Sequence, residues 1–164
     1  MSSVGRYAMG ERLGGFIYGT IVILAVLVGG AKAYPHNPGK IAVLIVITCV
    51  VFWLAHVYSH AVALVVAREQ HLTLAELRHI ARREGSLVEA AVPPVAALML
   101  GAFGLISTKA AVWLAFVLGL AVLAVQGVVF ARVERLGLLA TTAVVTTNVG
   151  LGVVLVGLKL LVAH

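Results

Sequence analysis

The run IAVLIVITCVVFWLAHVYSHAVALVVA, from Ile41 to Ala67, decides the fold class. It contains no Asp, Glu, Lys or Arg. An apolar stretch of about 20 residues crosses a bilayer as a helix, because lipid offers no partner to an unbonded backbone N–H or C=O. Within this run Cys49, Trp53, His56 and His60 fall inside about 60° of arc at 100° per residue, so they form one stripe. Polar side chains at membrane depth are costly, turn away from lipid and mark candidate functional sites.

Working outward, 62% of the 164 residues are hydrophobic and 11% are charged. An average soluble domain has about 45–50% and 25%. We therefore read residues 1–164 as a single all-α membrane domain, with the lipid bilayer as its first partner. There is no Asp, and the six acidic residues are all Glu. The 12 basic residues are spread over loops instead of clustered, which argues for orientation and headgroup contact and against nucleic acid. A single Cys excludes an intrachain disulfide.

Five membrane spans are expected, over about 14–33, 41–67, 86–106, 109–133 and 136–162. Arg6 and Arg12, the apolar Phe16–Val28 and Ala31-Lys32-Ala33 also imitate a secretory signal, but we read this segment as a true first span. Arg6, Arg12, Arg68, Arg78, Arg82, Arg83, Arg132 and Arg135 fall on one side of this topology. Lys32, Lys40, Lys109 and Lys159 fall on the other. The positive-inside rule then predicts a multi-pass protein of the plasma (inner) membrane, N-terminus cytoplasmic and C-terminus outside.

Between spans two and three, Thr73 and Glu76 make a capping box, and Leu74, Leu77, Ile80 and Ala81 share a face. Arg78, His79, Arg82 and Arg83 point largely elsewhere, which predicts a short amphipathic helix over about 73–84 lying on the membrane surface. Ser86 and Glu89 offer a second capping box, and Pro93-Pro94 predicts a kink in span three.

Three polar constellations are candidates for function. In the first span Gly10/Gly14 and Gly15/Gly19 form GxxxG pairs that admit another backbone closely; ordinary packing accounts for them, and a pore- or oligomer-facing helix is the functional reading. In the last span Thr141, Thr142, Thr146, Thr147 and Asn148 precede Gly150, Gly152 and Gly157, a set suited to interhelical hydrogen bonds. For the histidine stripe the first reading is a neutral His56 bonded to Tyr18 or Thr20, with His60 at headgroup level. The second is a protonatable path, since His titrates near neutral pH. Metal chelation by the i, i+4 pair comes third, because further ligands are scarce. Two residues on one helix face cannot clamp a haem. No Ser/His/Asp set, HExxH or paired acid at depth is present, so no enzymatic activity, metal or cofactor is expected.

Arg12-Leu13-Gly14-Gly15-Phe16-Ile17-Tyr18-Gly19, followed by Trp53-Leu54-Ala55-His56, resembles the lysosomal potassium channel family and its bacterial relatives. That family begins R-L-x-x-F-S-D-G and later carries a Trp shortly before His. The resemblance covers the first third of the chain and implies that the first helix lines a pore, with Arg12, Phe16, Gly19, Trp53 and His56 matching. Ile17-Tyr18 stands where the family has Ser-Asp. The phrases Phe52-Trp-Leu-Ala-His-Val-Tyr58 and Glu84-Gly-Ser-Leu-Val-Glu-Ala-Ala91 are also similar to a group of small actinobacterial membrane proteins, a likeness that implies no activity.

The expectation is thus a small oligomeric channel or transport protein for monovalent cations or protons. Arg12, Phe16, Tyr18, Gly19, Trp53, His56, His60 and Asn148 form its pore or polar network, and Gly15, Gly19, Gly150 and Gly152 its packing positions. An accessory subunit of a larger membrane complex is the alternative, and a metal- or haem-binding redox protein the third reading.

Overall fold

Each long apolar run becomes a helix. The computed structural model describes residues 3–68 and 71–162, in the order α1 (Ser3–Ala33), α2 (Pro38–Arg68), α3 (Leu74–Arg83), α4 (Ser86–Glu89), α5 (Val92–Ala102), α6 (Thr108–Val133) and α7 (Leu138–Val162). The side chains of Arg6, Arg68 and Lys159, used in the charge comparison above, lie outside the described residues.

The central helix is α1, which packs against α2, α4, α6 and α7, while α5 fits between α2 and α6. Its residues Ile23 and Leu27 meet Ile41, Ile45 and Cys49 of α2, Leu98 of α5 and Ala115 of α6 in one buried cluster. Small residues permit these approaches. On α6, Ala111, Ala115, Gly119, Leu123, Gly127 and Ala131 are buried at a strict four-residue spacing. That spacing makes one narrow stripe of mostly small side chains, the pattern by which helix backbones approach closely in lipid. A Cβ at Gly127 would come within 3.0 Å of the Val145 Cα on α7. One at Gly19 would come within 2.9 Å of the Leu87 carbonyl oxygen on α4.

Five spans plus a separate surface helix is not what the structure contains. Among the described residues three helices are long and apolar enough to cross a membrane: Arg12–Ala33, Pro38–Ala67 and Thr108–Val133. A fourth exists only if Leu74–Glu89 and Val92–Ala102, which meet at a 51° bend, are counted as one broken span. The expected third span, 86–106, is therefore divided, with Pro93 and Pro94 in the first turn of α5, where the missing N–H costs no helical bond. The expected fifth span, over α7, is found among the described residues only as a shorter apolar helix, Leu138–Val154.

The amphipathic helix is likewise no independent surface element, since α3 belongs to one arm of the bent pair. Its Thr73–Glu76 capping box is formed. Leu74, however, is 85% exposed, and no residue of α3 is fully buried. The Trp53 indole N–H donates to the Ala81 carbonyl at 2.9 Å, and this bond sets the roll of α3 against α2. At the next junction Gly85, not Ser86, occupies the N-cap of α4 without a side-chain bond, while Ser86 is buried against Gly15.

The charge pattern follows the antiparallel order. Gly15 and Gly19 near the start of α1 meet α4, whereas Gly101 at the far end of α5 meets Pro38 and Ala111 at the starts of α2 and α6. Arg12, Arg78, Arg82, Arg83, Arg132 and Arg135 therefore gather at one end of the bundle, and Lys32, Lys40 and Lys109 at the other.

Candidate functional site, a histidine crevice at the arginine-bearing end

The stripe on α2 reaches protein, not lipid, only over part of its length. Cys49 is buried in the core, and Trp53 and His56 are half-buried. His60, one turn further, is exposed at the arginine-bearing end. Opposite them α1 contributes Gly14, Gly15 and Tyr18, and the segment joining α3 to α4 contributes Arg83 and Glu84. Together with His56 and His60 these residues line a crevice of about 220 Å3. A Cβ at Gly14 would meet nothing within 4 Å, whereas the space beside Gly15 is taken by Ser86.

Both imidazoles are fixed by their own helix. His56 donates from Nδ1 to the Phe52 carbonyl at 2.9 Å, and His60 from Nδ1 to the His56 carbonyl at 3.2 Å. A carbonyl can only accept, so each ring carries its proton on Nδ1 and keeps Nε2 as the basic nitrogen. Glu84 Oε1 lies 3.4 Å from His60 Nδ1. The expected hydroxyl partner for His56 is not used. The Tyr18 ring lies against His56 with centroids 5.4 Å apart and planes tilted by 47°, and Thr20 donates to the Phe16 carbonyl at 2.8 Å. An imidazole Nδ1 at i can reach the carbonyl at i−4, whose second lone pair remains available, and no cross-helix partner is needed.

The remaining candidates are spread over the bundle. Arg12 pairs with Glu89 at 2.9 Å, tying α1 to α4 through two largely exposed side chains, a type of pair worth about 0–1 kcal/mol. Phe16 packs against the core cluster, and Gly152 of α7 lies against Leu120 and Leu123 of α6. A Cβ at Gly150 would meet nothing within 4 Å. Asn148 is buried between α7 and α6, its Nδ2 facing Gly127 and making no hydrogen bond. It does not line the histidine crevice, so the structure does not join the two. Among the described residues no three His, Cys, Asp or Glu side chains gather closely enough to hold a metal ion.

Neither a protein-family model, nor a curated protein, nor a solved structure matches the chain. What the fold itself establishes is a small all-α protein with several apolar helices of membrane-spanning length, consistent with a multi-pass membrane protein.

Glu84 and Arg83 are the crevice residues that the sequence reading passed over. Glu84 precedes Gly85, so it reads as the frayed end of a surface helix. The packing of the Leu74–Glu89 arm against α2 brings it beside His60. The pinning of α3 by Trp53 gives a direct check. Trp53→Phe keeps the ring but removes the donor, and should cost about 0.5–1.5 kcal/mol. Amide hydrogen exchange should quicken across Leu74–Arg83 and leave α6 unaltered. Unchanged protection of that segment would show that the indole does not hold α3 in place.

Proposed function

We propose that this chain is a non-enzymatic transport protein of the plasma (inner) membrane. It moves protons, or a monovalent cation at the same site, through the crevice between α1, α2 and the α3–α4 junction. The observation that carries this reading is the pair of imidazoles, His56 and His60, with fixed Nδ1 protons and basic Nε2 atoms lining one cavity beside Glu84. Histidine is the side chain whose charge changes in the physiological range, so two such groups one helical turn apart can take up and pass on a proton. This reading uses the crevice and not an axis lined by α1, because α1 packs against four helices of its own chain. The arginine-bearing end is taken as cytoplasmic, as the positive-inside rule directs, with the N-terminus on that side and α7 leading to the other.

Beyond Tyr18 and Phe52 the bundle closes. Ile23, Leu27, Ile45 and Cys49 are all at most 1% exposed. A complete path therefore needs either a shift of the bent α3–α5 pair or a second copy of the chain, and a homo-oligomer is part of this proposal. The same closed end favours the second reading, an accessory subunit of a larger membrane complex that conducts nothing. Reconstitution separates them. Liposomes holding the purified chain, a pH-sensitive dye and a valinomycin-clamped potassium potential should acidify or alkalinise faster than protein-free liposomes. Equal rates would remove the transport reading and leave the accessory one.

A further inference from the structure

Next to the crevice a larger cavity, about 510 Å3, opens between α2 and α3. Its α3 wall is formed by Glu76, His79, Ile80 and Arg83, at the i, i+3, i+4 and i+7 positions of one helical face. Leu64 of α2 adds apolar surface to Ile80, and Glu84 adds a second carboxylate. The lining thus carries both signs of charge beside an apolar strip. A bare phosphate entering here would meet two like-charged carboxylates, and a bare cation would meet the Arg83 guanidinium. A ligand bearing both an ammonium and a phosphate, followed by hydrocarbon, satisfies every part.

We propose that this cavity binds the phosphoethanolamine headgroup of a membrane phospholipid. The ammonium faces Glu76 and Glu84, the phosphodiester faces Arg83 and His79, and the glycerol end runs along Leu64 and Ile80. The position suits this ligand. Leu64 lies one turn before the end of α2 at Arg68, where a spanning helix leaves the hydrocarbon and enters the headgroup layer. Guanidinium is the side chain best matched to a phosphate, with a planar fork of donors. A primary ammonium offers three N–H donors to carboxylates, whereas a quaternary ammonium offers none. The cavity should therefore discriminate between the two. His60 also lines this cavity, beside Glu84, and the inference rests on lipid retention alone, not on whether the histidines move protons.

Native mass spectrometry of the full chain in detergent tests it, with phosphatidylethanolamine, phosphatidylcholine, phosphatidylglycerol and free phosphoethanolamine added in turn. Phosphatidylethanolamine should be retained about tenfold over phosphatidylcholine at equal concentration, since charge-assisted hydrogen bonds are at stake. It should also outlast phosphatidylglycerol, and the free headgroup should not be retained. Glu76→Gln keeps the capping box, where Gln serves as well as Glu, so α3 stays formed. That variant should lower retention of phosphatidylethanolamine to the level of phosphatidylcholine. Arg83→Gln should lower both together, because both carry the phosphodiester. Equal retention of the two zwitterionic lipids, or preference for phosphatidylglycerol, would overturn the ammonium assignment. Retention of free phosphoethanolamine equal to that of the lipid would overturn the lipid source, and a Glu76→Gln protein with its preference intact would overturn the cavity.

Discussion

Replacing Gly19 by alanine should lower the thermal midpoint of the protein, although alanine is the better helix former by about 1 kcal/mol. The added Cβ would stand 2.9 Å from the Leu87 carbonyl oxygen and 3.1 Å from the Leu87 Cα, both backbone atoms that no rotamer change can move aside. Either α1 or α4 must retreat, and α4 is one arm of the bend that carries Glu84. Overpacking of this kind costs about 1–3 kcal/mol, and Gly19→Leu should reach or exceed the upper end. Gly150→Ala is the matched control. Its Cβ would meet nothing within 4 Å, so the propensity gain is unopposed and the midpoint should hold or rise. Thermal unfolding in detergent, followed by circular dichroism, reads both signs. A Gly19→Ala protein as stable as the parent would mean that α1 and α4 do not pack at backbone distance, and the crevice between them would lose its wall.

Much of this architecture is legible before any coordinates. Ile41–Ala67 announces a spanning helix by length alone, and Gly15 and Gly19 mark a close approach without naming the partner. The buried stripe of α6 was equally open to inspection at Ala111, Ala115, Gly119, Gly127 and Ala131, yet its four-residue repeat lies inside a run so uniformly apolar that hydropathy conceals it. The count of spans fails for a different reason. Apolar length is a local property, whereas the bend at Ala90–Ala91 depends on where one helix stops and the next begins. The surface-helix reading of α3 fails similarly: its apolar stripe predicts a separate helix lying on the membrane, whereas the bond from the Trp53 N–H to the Ala81 carbonyl holds it against α2.

The site was half legible. The spacing of Trp53, His56 and His60 locates one wall of the crevice, since residues at i, i+3 and i+7 must share a face. Periodicity cannot supply the opposite wall. Glu84 is 24 residues from His60 and lies on a segment whose direction depends on two glycines in α1 and two prolines in α5. Nor does it disclose that His56 satisfies its own Nδ1 through Phe52, so that Tyr18 meets it with a tilted ring instead of bonding to it.

His56→Asn should abolish proton movement without unfolding the chain. Asn retains a polar group of similar reach that can still donate to the helix carbonyl, but it has no basic Nε2 and does not titrate. His60→Gln should weaken movement less, because His60 is exposed and water can replace it as a proton donor or acceptor. His36, in the loop at the opposite end, is the control, and His36→Asn should behave as the parent. The decisive measurement is the rate of internal pH change in proteoliposomes of equal protein content, under a potassium potential set by valinomycin. The parent and His36→Asn should share one rate, His60→Gln should fall between, and His56→Asn should match protein-free liposomes. A His56→Asn protein that moves protons as fast as the parent would contradict the assignment of the crevice as the path.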